Sequence, residues 1–179
     1  MSKKVLVLSA SPRKDGNSDL LCNQFIEGAN SGENEVEKFF IGDIDLKFCK
    51  ACDYCQKNNG KCIHNDMMGI ILEKMINFDV IVISTPIYFY AINGQIKTLI
   101  DRVYARYNEI KNKDFYFIMT AADGKESAMD TAIEELRGFT SCLFNSKEKG
   151  IIRATGVWNK GDVIKRNFMQ EAFEMGQNI

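Results

Sequence analysis

Four cysteines, Cys49, Cys52, Cys55 and Cys62, lie within the fourteen-residue segment CKACDYCQKNNGKC. Their gaps of two, two and six residues let three thiolates converge from one loop, and the fourth can complete a tetrahedral ligand set. This spacing suits a [4Fe–4S] cluster better than structural zinc, which usually takes two separated pairs of ligands. Four reduced thiols that bind nothing are also tolerated in a loop, so both interpretations stay open at this point.

A polar loop with different chemistry, SASPRKDGNS, follows the first apolar run of the chain and is called the serine loop below. It offers hydroxyl groups, an amide and a cation immediately before a predicted helix, at Ser9, Ser11, Arg13, Asn17 and Ser18. Free N–H groups at a helix start, together with such side chains, suit a phosphate group, which needs many donors and positive charge. From the residues alone, an ordinary polar loop with an Asn or Ser helix cap explains the pattern as well.

A third candidate group lies in the stretch STPIYFYAING. Pro86 ends an apolar run, and Ile87, Tyr88 and Phe89 follow it directly. Aromatic side chains in such a place can stack on a flat heteroaromatic ring. A core contact, or a contact between two copies of the chain, explains the same aromatic residues, so ring binding is one of two interpretations.

The elements that must position these residues alternate between short apolar runs and amphipathic segments. Runs rich in β-branched and aromatic residues predict strands over residues 4–9, 35–41, 79–85, 114–120 and 150–158. The segments between them predict helices, which begin near Asn17 and Asn65 and include residues 96–103, 126–144 and 162–178. Strands that alternate with helices indicate a mostly parallel sheet with helices on both faces.

Five such units in a chain of 179 residues fit the flavodoxin-like doubly wound α/β fold, with a five-stranded parallel sheet in the order 2-1-3-4-5. We expect one domain over residues 1–179, because no linker or repeat divides the chain. In this fold, ligands bind beyond the carboxyl ends of strands one and three, the strands that precede Pro12 and Pro86. The serine loop and the aromatic segment should therefore face each other at this edge of the sheet.

Composition excludes several classes of function. The net charge is −1 and both signs are interspersed, so the chain has no basic face and we expect no nucleic-acid partner. The apolar run near the N-terminus is too short for a signal peptide or a membrane span, so we expect no membrane contact and a cytoplasmic protein. Thiols stay reduced in that compartment, which argues against disulfides among the clustered cysteines.

The three segments resemble the flavodoxin-like NADPH-dependent FMN reductase superfamily, and in particular its iron–sulfur flavoprotein-like branch. SASPRKDGNS is similar to the FMN phosphate loop of these proteins, and STPIYFYAINGQIKTLIDR is similar to their second flavin loop and the helix after it. CKACDYCQKNNGKCIHNDM resembles the cysteine segment of the branch. The motifs occur in the family order, and the resemblance covers most of residues 4–107.

The resemblance implies a role for each matched residue. The FMN phosphate would be held by Ser9, Ser11, Arg13, Asn17 and Ser18. The ribityl chain and the isoalloxazine ring would lie beside Pro86, Ile87, Tyr88 and Phe89, and a third contact loop would run from Thr120 to Asp123. A [4Fe–4S] cluster would be held by Cys49, Cys52, Cys55 and Cys62. No side chain is predicted to be catalytic, because the flavin carries the redox chemistry.

The expected function is that of an FMN-dependent oxidoreductase with NAD(P)H as co-substrate. Electrons would pass from a nicotinamide or a protein donor through FMN to a small-molecule acceptor. The alternative is an iron–sulfur flavoprotein that relays electrons and has no small-molecule substrate of its own. The resemblance also implies a homodimer or a tetramer.

Overall fold

Five parallel strands form the central sheet of the computed structural model, which describes residues 2–179. The strands of the chain are β1 (Lys4–Ser9), β2 (Glu35–Phe40), β3 (Val80–Tyr88), β4 (Ala91–Ile92), β5 (Asp114–Thr120) and β6 (Lys147–Ala154). The parallel strands follow the order β2-β1-β3-β5-β6, while β4 pairs only with β3. This order confirms the predicted flavodoxin-like sheet and brings the ends of β1 and β3 side by side.

Helices cover both faces of the sheet, as β-branched strands that are apolar on both sides require. They are α1 (Asn17–Asn30), α2 (Tyr54–Lys57), α3 (Met68–Asn77), α4 (Gly94–Val103), α5 (Asp130–Ser141) and α6 (Phe168–Gln177). One core cluster contains α1 and α6, and the other contains α3, α4 and α5. The helix α2 buries no residue, because it belongs to the cysteine segment on the surface.

Several boundaries differ from the predicted ones. Pro86 lies within β3 instead of ending it, because Ile87 and Tyr88 continue into an antiparallel pair with the unpredicted β4. The last strand ends at Ala154, where its pairing with β5 ends, so that residues 155–161 form a loop. The two final helices of the prediction each begin with a short 3₁₀ turn, over residues 126–129 and 162–165.

The contact between α1 and α6 depends on two glycines. A Cβ atom on Gly28 would lie 2.0 Å from the carbonyl oxygen of Phe173, and one on Gly176 would lie 2.0 Å from that of Phe25. Real Cβ atoms do not approach a carbonyl oxygen so closely, so a side chain at either position must push the helices apart. This close contact fixes α6 against α1, whose N-terminus borders the site described below.

We expect Gly176→Ala to lower the free energy of unfolding by about 1–3 kcal/mol, because the added methyl group overpacks the contact between α1 and α6. Gly138→Ala in α5 is the matched control, since a Cβ there meets nothing within 4 Å. The control should raise the stability by about 0.5–1 kcal/mol through helix propensity. Urea unfolding measures both changes, and shifts of the two variants in the same direction would contradict this account of the helix contact.

Candidate functional site

A cleft opens at the carboxyl ends of β1 and β3, as the strand order predicts. Eight of the eleven predicted cofactor residues line it: Ser11, Arg13, Asn17, Ser18, Pro86, Ile87, Tyr88 and Thr120. The other three, Ser9, Phe89 and Asp123, lie outside its lining. The structure therefore joins the serine loop, the aromatic segment and the loop after β5 into one site.

The serine loop is a tight turn that ends at the start of α1. The hydroxyl of Ser11 donates to the carbonyl of Arg13 at 2.9 Å and accepts from the Arg13 N–H at 3.0 Å. Gly16 precedes the helix, and a Cβ there would lie 2.9 Å from the same carbonyl. No side chain among residues 2–179 caps α1, so the N–H groups of its first turn remain available to an anion.

Arg13 is the free cation of this end of the cleft. Its side chain is exposed and forms no ion pair within residues 2–179. Lys160 also lines the cleft, and its Nζ lies 3.7 Å from a carboxylate oxygen of Asp15. Two cations near an uncapped helix N-terminus make this end of the cleft suitable for a phosphate.

Ser9 lies beneath the loop rather than in the cleft. It is fully buried, and its hydroxyl donates to Asp19 Oδ1 at 2.7 Å. Burial would raise the pKa of the Asp19 carboxyl, but hydrogen bonds from Lys38, Ser9 and the Asp15 N–H outweigh it and lower that pKa. Lys38 Nζ lies 2.6 Å from Asp19 Oδ1. The ionised carboxylate thus holds Asp15, which has a φ of 55°, in its left-handed conformation.

Asn93 connects the loop after β1 with the hairpin of β3 and β4. Its side chain is buried and donates to the carbonyl of Ala10 at 2.5 Å. Its Oδ1 accepts from the Thr85 hydroxyl at 3.2 Å, and its own N–H donates to that hydroxyl at 3.1 Å. The same Oδ1 accepts from the Ile96 N–H at 3.3 Å and so caps α4. One amide therefore fixes the spacing of the loop and the hairpin, and the start of a helix.

The aromatic segment forms a hairpin at the edge of the cleft. Tyr88 lines the cleft, whereas Phe89 at the hairpin tip is 100% exposed and lies outside the cleft lining. Phe89 and Tyr90 have φ values of 50° and 64°, a left-handed conformation that aromatic residues seldom adopt. Glu135 of α5 supports the hairpin, because its carboxylate accepts from the Ile92 N–H at 2.9 Å.

The loop after β5 contributes Thr120 and Ala122 to the cleft. Asp123 turns away from it, since its side chain accepts from the Lys125 N–H at 2.9 Å. Its carbonyl accepts from the Gly156 N–H at 2.8 Å, which ties this loop to the one after β6. The loop after β5 therefore lines the cleft through Thr120 and Ala122, whereas Asp123 does not line it.

Asn17 lines the cleft, but its side chain is already engaged. Its Nδ2 donates to the Asn159 carbonyl at 2.8 Å, and its Oδ1 accepts from the Gly161 N–H at 2.9 Å. These bonds hold the loop after β6, so they leave the amide little capacity for the phosphate contact predicted from the sequence.

The cysteine segment lies apart from the cleft, over the end of α4. Cys49 and Cys52 are exposed, while Cys55 and Cys62 are half-buried. Among residues 2–179, no three His, Cys, Asp or Glu side chains are arranged to hold a metal ion. In this conformation the thiols do not fit a [4Fe–4S] cluster, and binding one would require the segment to rearrange.

The end of α4 anchors this segment. Arg102 is 3% exposed, donates to both carboxylate oxygens of Asp66 at 2.8 and 2.9 Å, and also contacts the Lys47 carbonyl. Burial would raise the pKa of Asp66, but the Arg102 hydrogen bonds and charge lower it. Tyr104 adds a hydroxyl bond to Asp53 at 3.3 Å. The base of the cysteine segment is therefore fixed.

A second cavity, of about 710 Å³, lies between the cysteine segment, α3 and α4. It is larger than the cleft, but the two arginines that line it are already paired. Arg102 pairs with Asp66, and Arg106 pairs with Glu73 and Glu109. The cleft at the strand ends is the better candidate site, because it has free donors, a free cation and the position expected for this fold.

The sequence of residues 3–145 matches the family described as NADPH-dependent FMN reductase. The chain belongs to this family. An iron–sulfur flavoprotein of Methanocaldococcus jannaschii is 37% identical to it over 99 residues, which are 55% of this chain and 50% of that protein. The chain thus spans about half the length of the curated relatives it matches.

Two solved structures show how widely this FMN reductase fold is shared. An FMN-dependent NADH-azoreductase of Bacillus anthracis has a TM-score of 0.76 and 17% identity, over 98% of each chain. An NAD(P)H:quinone oxidoreductase of Methanothermobacter marburgensis also has a TM-score of 0.76, with 16% identity over 99% of this chain and 97% of that one. At these identities the likeness shows the fold alone.

Sequence reasoning missed four residues that line the cleft: Gly16, Val157, Trp158 and Lys160. Gly16 lies within the serine loop but carries no side chain that could donate to a phosphate. Val157 and Trp158 lie where a strand was predicted, because VW ends the apolar run that begins at Gly150, and Lys160 lies two residues beyond that strand. The following NKGD is typical of a turn, and it was the sequence feature that could have placed these residues in a loop.

We expect Asn93→Ala to lower the free energy of unfolding by roughly 1–3 kcal/mol, because it leaves the buried Ala10 carbonyl without the amide that donates to it. The lost helix cap adds about 1 kcal/mol. Asn77→Ala is the matched control, since that exposed amide bonds only the Glu73 carbonyl of its own helix. Urea unfolding compares the two variants. Equal stabilities for both would show that Asn93 does not join the loop to the hairpin.

Proposed function

We propose that this chain is an FMN-dependent oxidoreductase that uses NAD(P)H as electron donor and reduces a small-molecule acceptor. One observation carries the proposal: a free arginine, an uncapped helix N-terminus, Tyr88 and Pro86 all line one cleft. Phosphate donors beside an aromatic side chain match the chemistry of a flavin mononucleotide. Membership of the NADPH-dependent FMN reductase family supports it independently.

Different residues of the cleft would contact different parts of FMN. Ser11, Arg13 and the first N–H groups of α1 would hold the phosphate through charge-assisted hydrogen bonds. Ser18 is buried at the cleft wall and would add a hydroxyl there. Pro86, Ile87 and Tyr88 would border the ring, and Thr120 with Ala122 would close the opposite side. When bound, FMN supplies the hydride and electron transfer, so no side chain has to act as acid or base.

We expect Arg13→Ala to weaken FMN binding by roughly ten- to hundredfold, because a hydrogen bond to a charged group contributes about 1.5–3 kcal/mol. The affinity for riboflavin, which has no phosphate, should stay within about twofold of wild type. Lys14→Ala is the matched control, since Lys14 is an exposed cation of the same loop that does not line the cleft. Fluorescence titration of the apoprotein measures both ligands. An unchanged FMN affinity in both Arg13→Ala and Ser11→Ala would place the phosphate elsewhere.

A second candidate function is an electron relay with a [4Fe–4S] cluster on Cys49, Cys52, Cys55 and Cys62. The spacing of the cysteines supports it, and so does the name iron–sulfur flavoprotein that several relatives carry. The scattered thiols of the present conformation stand against it. Rapid reduction by NADPH or NADH in a stopped-flow instrument would favour the enzyme, whereas reduction by a protein donor alone would favour the relay.

The relay requires the cysteine segment to rearrange around a cluster, and anaerobic reconstitution with iron and sulfide should then load wild type with about four irons per chain. Cys55→Ser removes one ligand and should take up clearly less iron and sulfide. Cys142→Ser is the matched control, an exposed cysteine at the end of α5 and outside the segment. Equal uptake by wild type and Cys55→Ser would exclude a cluster on these cysteines.

The setting of the protein is also part of the proposal. No helix among residues 2–179 combines the length and the apolar character that a membrane crossing requires. We propose a cytoplasmic protein that acts as a single domain and as a homodimer or tetramer, with no nucleic-acid partner. The exposed Phe89, Tyr90 and Trp158 near the cleft support assembly, because large exposed aromatic groups mark contact surfaces.

A further inference from the structure

The loop between β6 and α6 contributes a wall of the cleft. Val157, Trp158 and Lys160 line the cleft together with the serine loop and the aromatic segment. This loop belongs to none of the three motifs found in the sequence, since it lies about 140 residues after the serine loop. Its position in the fold, after the last strand, brings it to the same sheet edge.

Hydrogen bonds fix this loop on both sides. The Val157 N–H donates to the Ala121 carbonyl at 2.9 Å. The carboxylate of Asp162 accepts from the N–H groups of Trp158 and Asn159 at 2.9 and 2.7 Å. The side chain of Asn17 then joins the loop to the first residue of α1. The backbone that presents Trp158 is therefore held in place without a ligand.

The two outward side chains have different chemistry. Trp158 is 74% exposed, so its indole has little contact with the protein although its backbone is fixed. A flat apolar group at a cleft edge suits the uncharged part of a ligand, the ring or the ribityl chain. The Nζ of Lys160 lies 3.7 Å from a carboxylate oxygen of Asp15 in the serine loop, so its charge lies near the expected phosphate position.

We propose that residues 157–160 form a fourth FMN-binding segment, in which Trp158 contacts the flavin portion, Lys160 contacts the phosphate, and Asn17 is a positioning residue that acts through the loop. This inference rests on the proposed function. It gives Asn17 a role that the sequence did not predict, because the amide holds the loop instead of the phosphate.

Titration of the apoprotein with FMN and with riboflavin separates the two contacts. Trp158→Ala should weaken both ligands by a similar factor of about three- to tenfold, and Trp158→Phe should restore most of the loss. Lys160→Ala should weaken FMN by about three- to tenfold and leave riboflavin unchanged. The controls are Phe144→Ala, an aromatic residue 70% exposed at the opposite end of the sheet, and Lys165→Ala, an exposed lysine outside the cleft.

Asn17 is tested through the only tryptophan of the chain. Asn17→Ala should lower the fluorescence anisotropy of Trp158 in the apoprotein, because the loop loses two hydrogen bonds. It should weaken riboflavin about as much as Trp158→Ala does, and the double variant should lose little more, since coupled residues are not additive. Unchanged anisotropy, or fully additive losses, would overturn the positioning role.

The outcomes distinguish this inference from the proposed function. If Trp158→Ala and Lys160→Ala match their controls while Arg13→Ala still weakens FMN, the fourth segment is refuted and the proposed function stands. If wild type binds no FMN, both are refuted. If the two variants weaken their respective ligands as stated, the segment is established.

Discussion

The hydrogen bonds of Asn93 are the constraint on which the site depends. A doubly wound sheet provides a crevice wherever its strand order reverses, but the loops that border the crevice need a fixed separation. Here one buried amide bonds the backbone after β1 and the hydroxyl of Thr85 within β3. The Ala10 carbonyl is buried, so an arrangement of the loops without the Asn93 amide would leave this carbonyl without a donor. That cost holds the two segments in one arrangement.

The helix that Asn93 caps extends this constraint to the cysteine segment. α4 begins beside the cleft, and its ten residues span about 15 Å. At its far end Arg102 binds Asp66 and the Lys47 carbonyl, the two sides of the cysteine segment. The cleft and the cysteine segment thus lie at the two ends of α4.

The sheet could be predicted from the sequence because its strands are strongly apolar, and β5 was predicted with its observed bounds, Asp114–Thr120. The serine loop and Tyr88 could be placed in the site because motif and topology point to the same edge. The hairpin at Phe89 and Tyr90 could not, since aromatic residues at positive φ violate the usual turn preferences. The roles of Asn17 and Asn93 could not either. Their partners, Gly161 and Ala10, are distant in the sequence and become neighbours only in the folded chain. From the sequence alone, a polar residue beside a helix start indicates only a helix cap.

The most direct test of the account is a crystal structure of the protein with FMN. We predict one FMN per chain, with its phosphate within hydrogen-bonding distance of Ser11, Arg13 and the first N–H groups of α1, and its ring beside Tyr88. FMN bound in the cavity between α3, α4 and the cysteine segment, or a phosphate that points away from the serine loop, would contradict it.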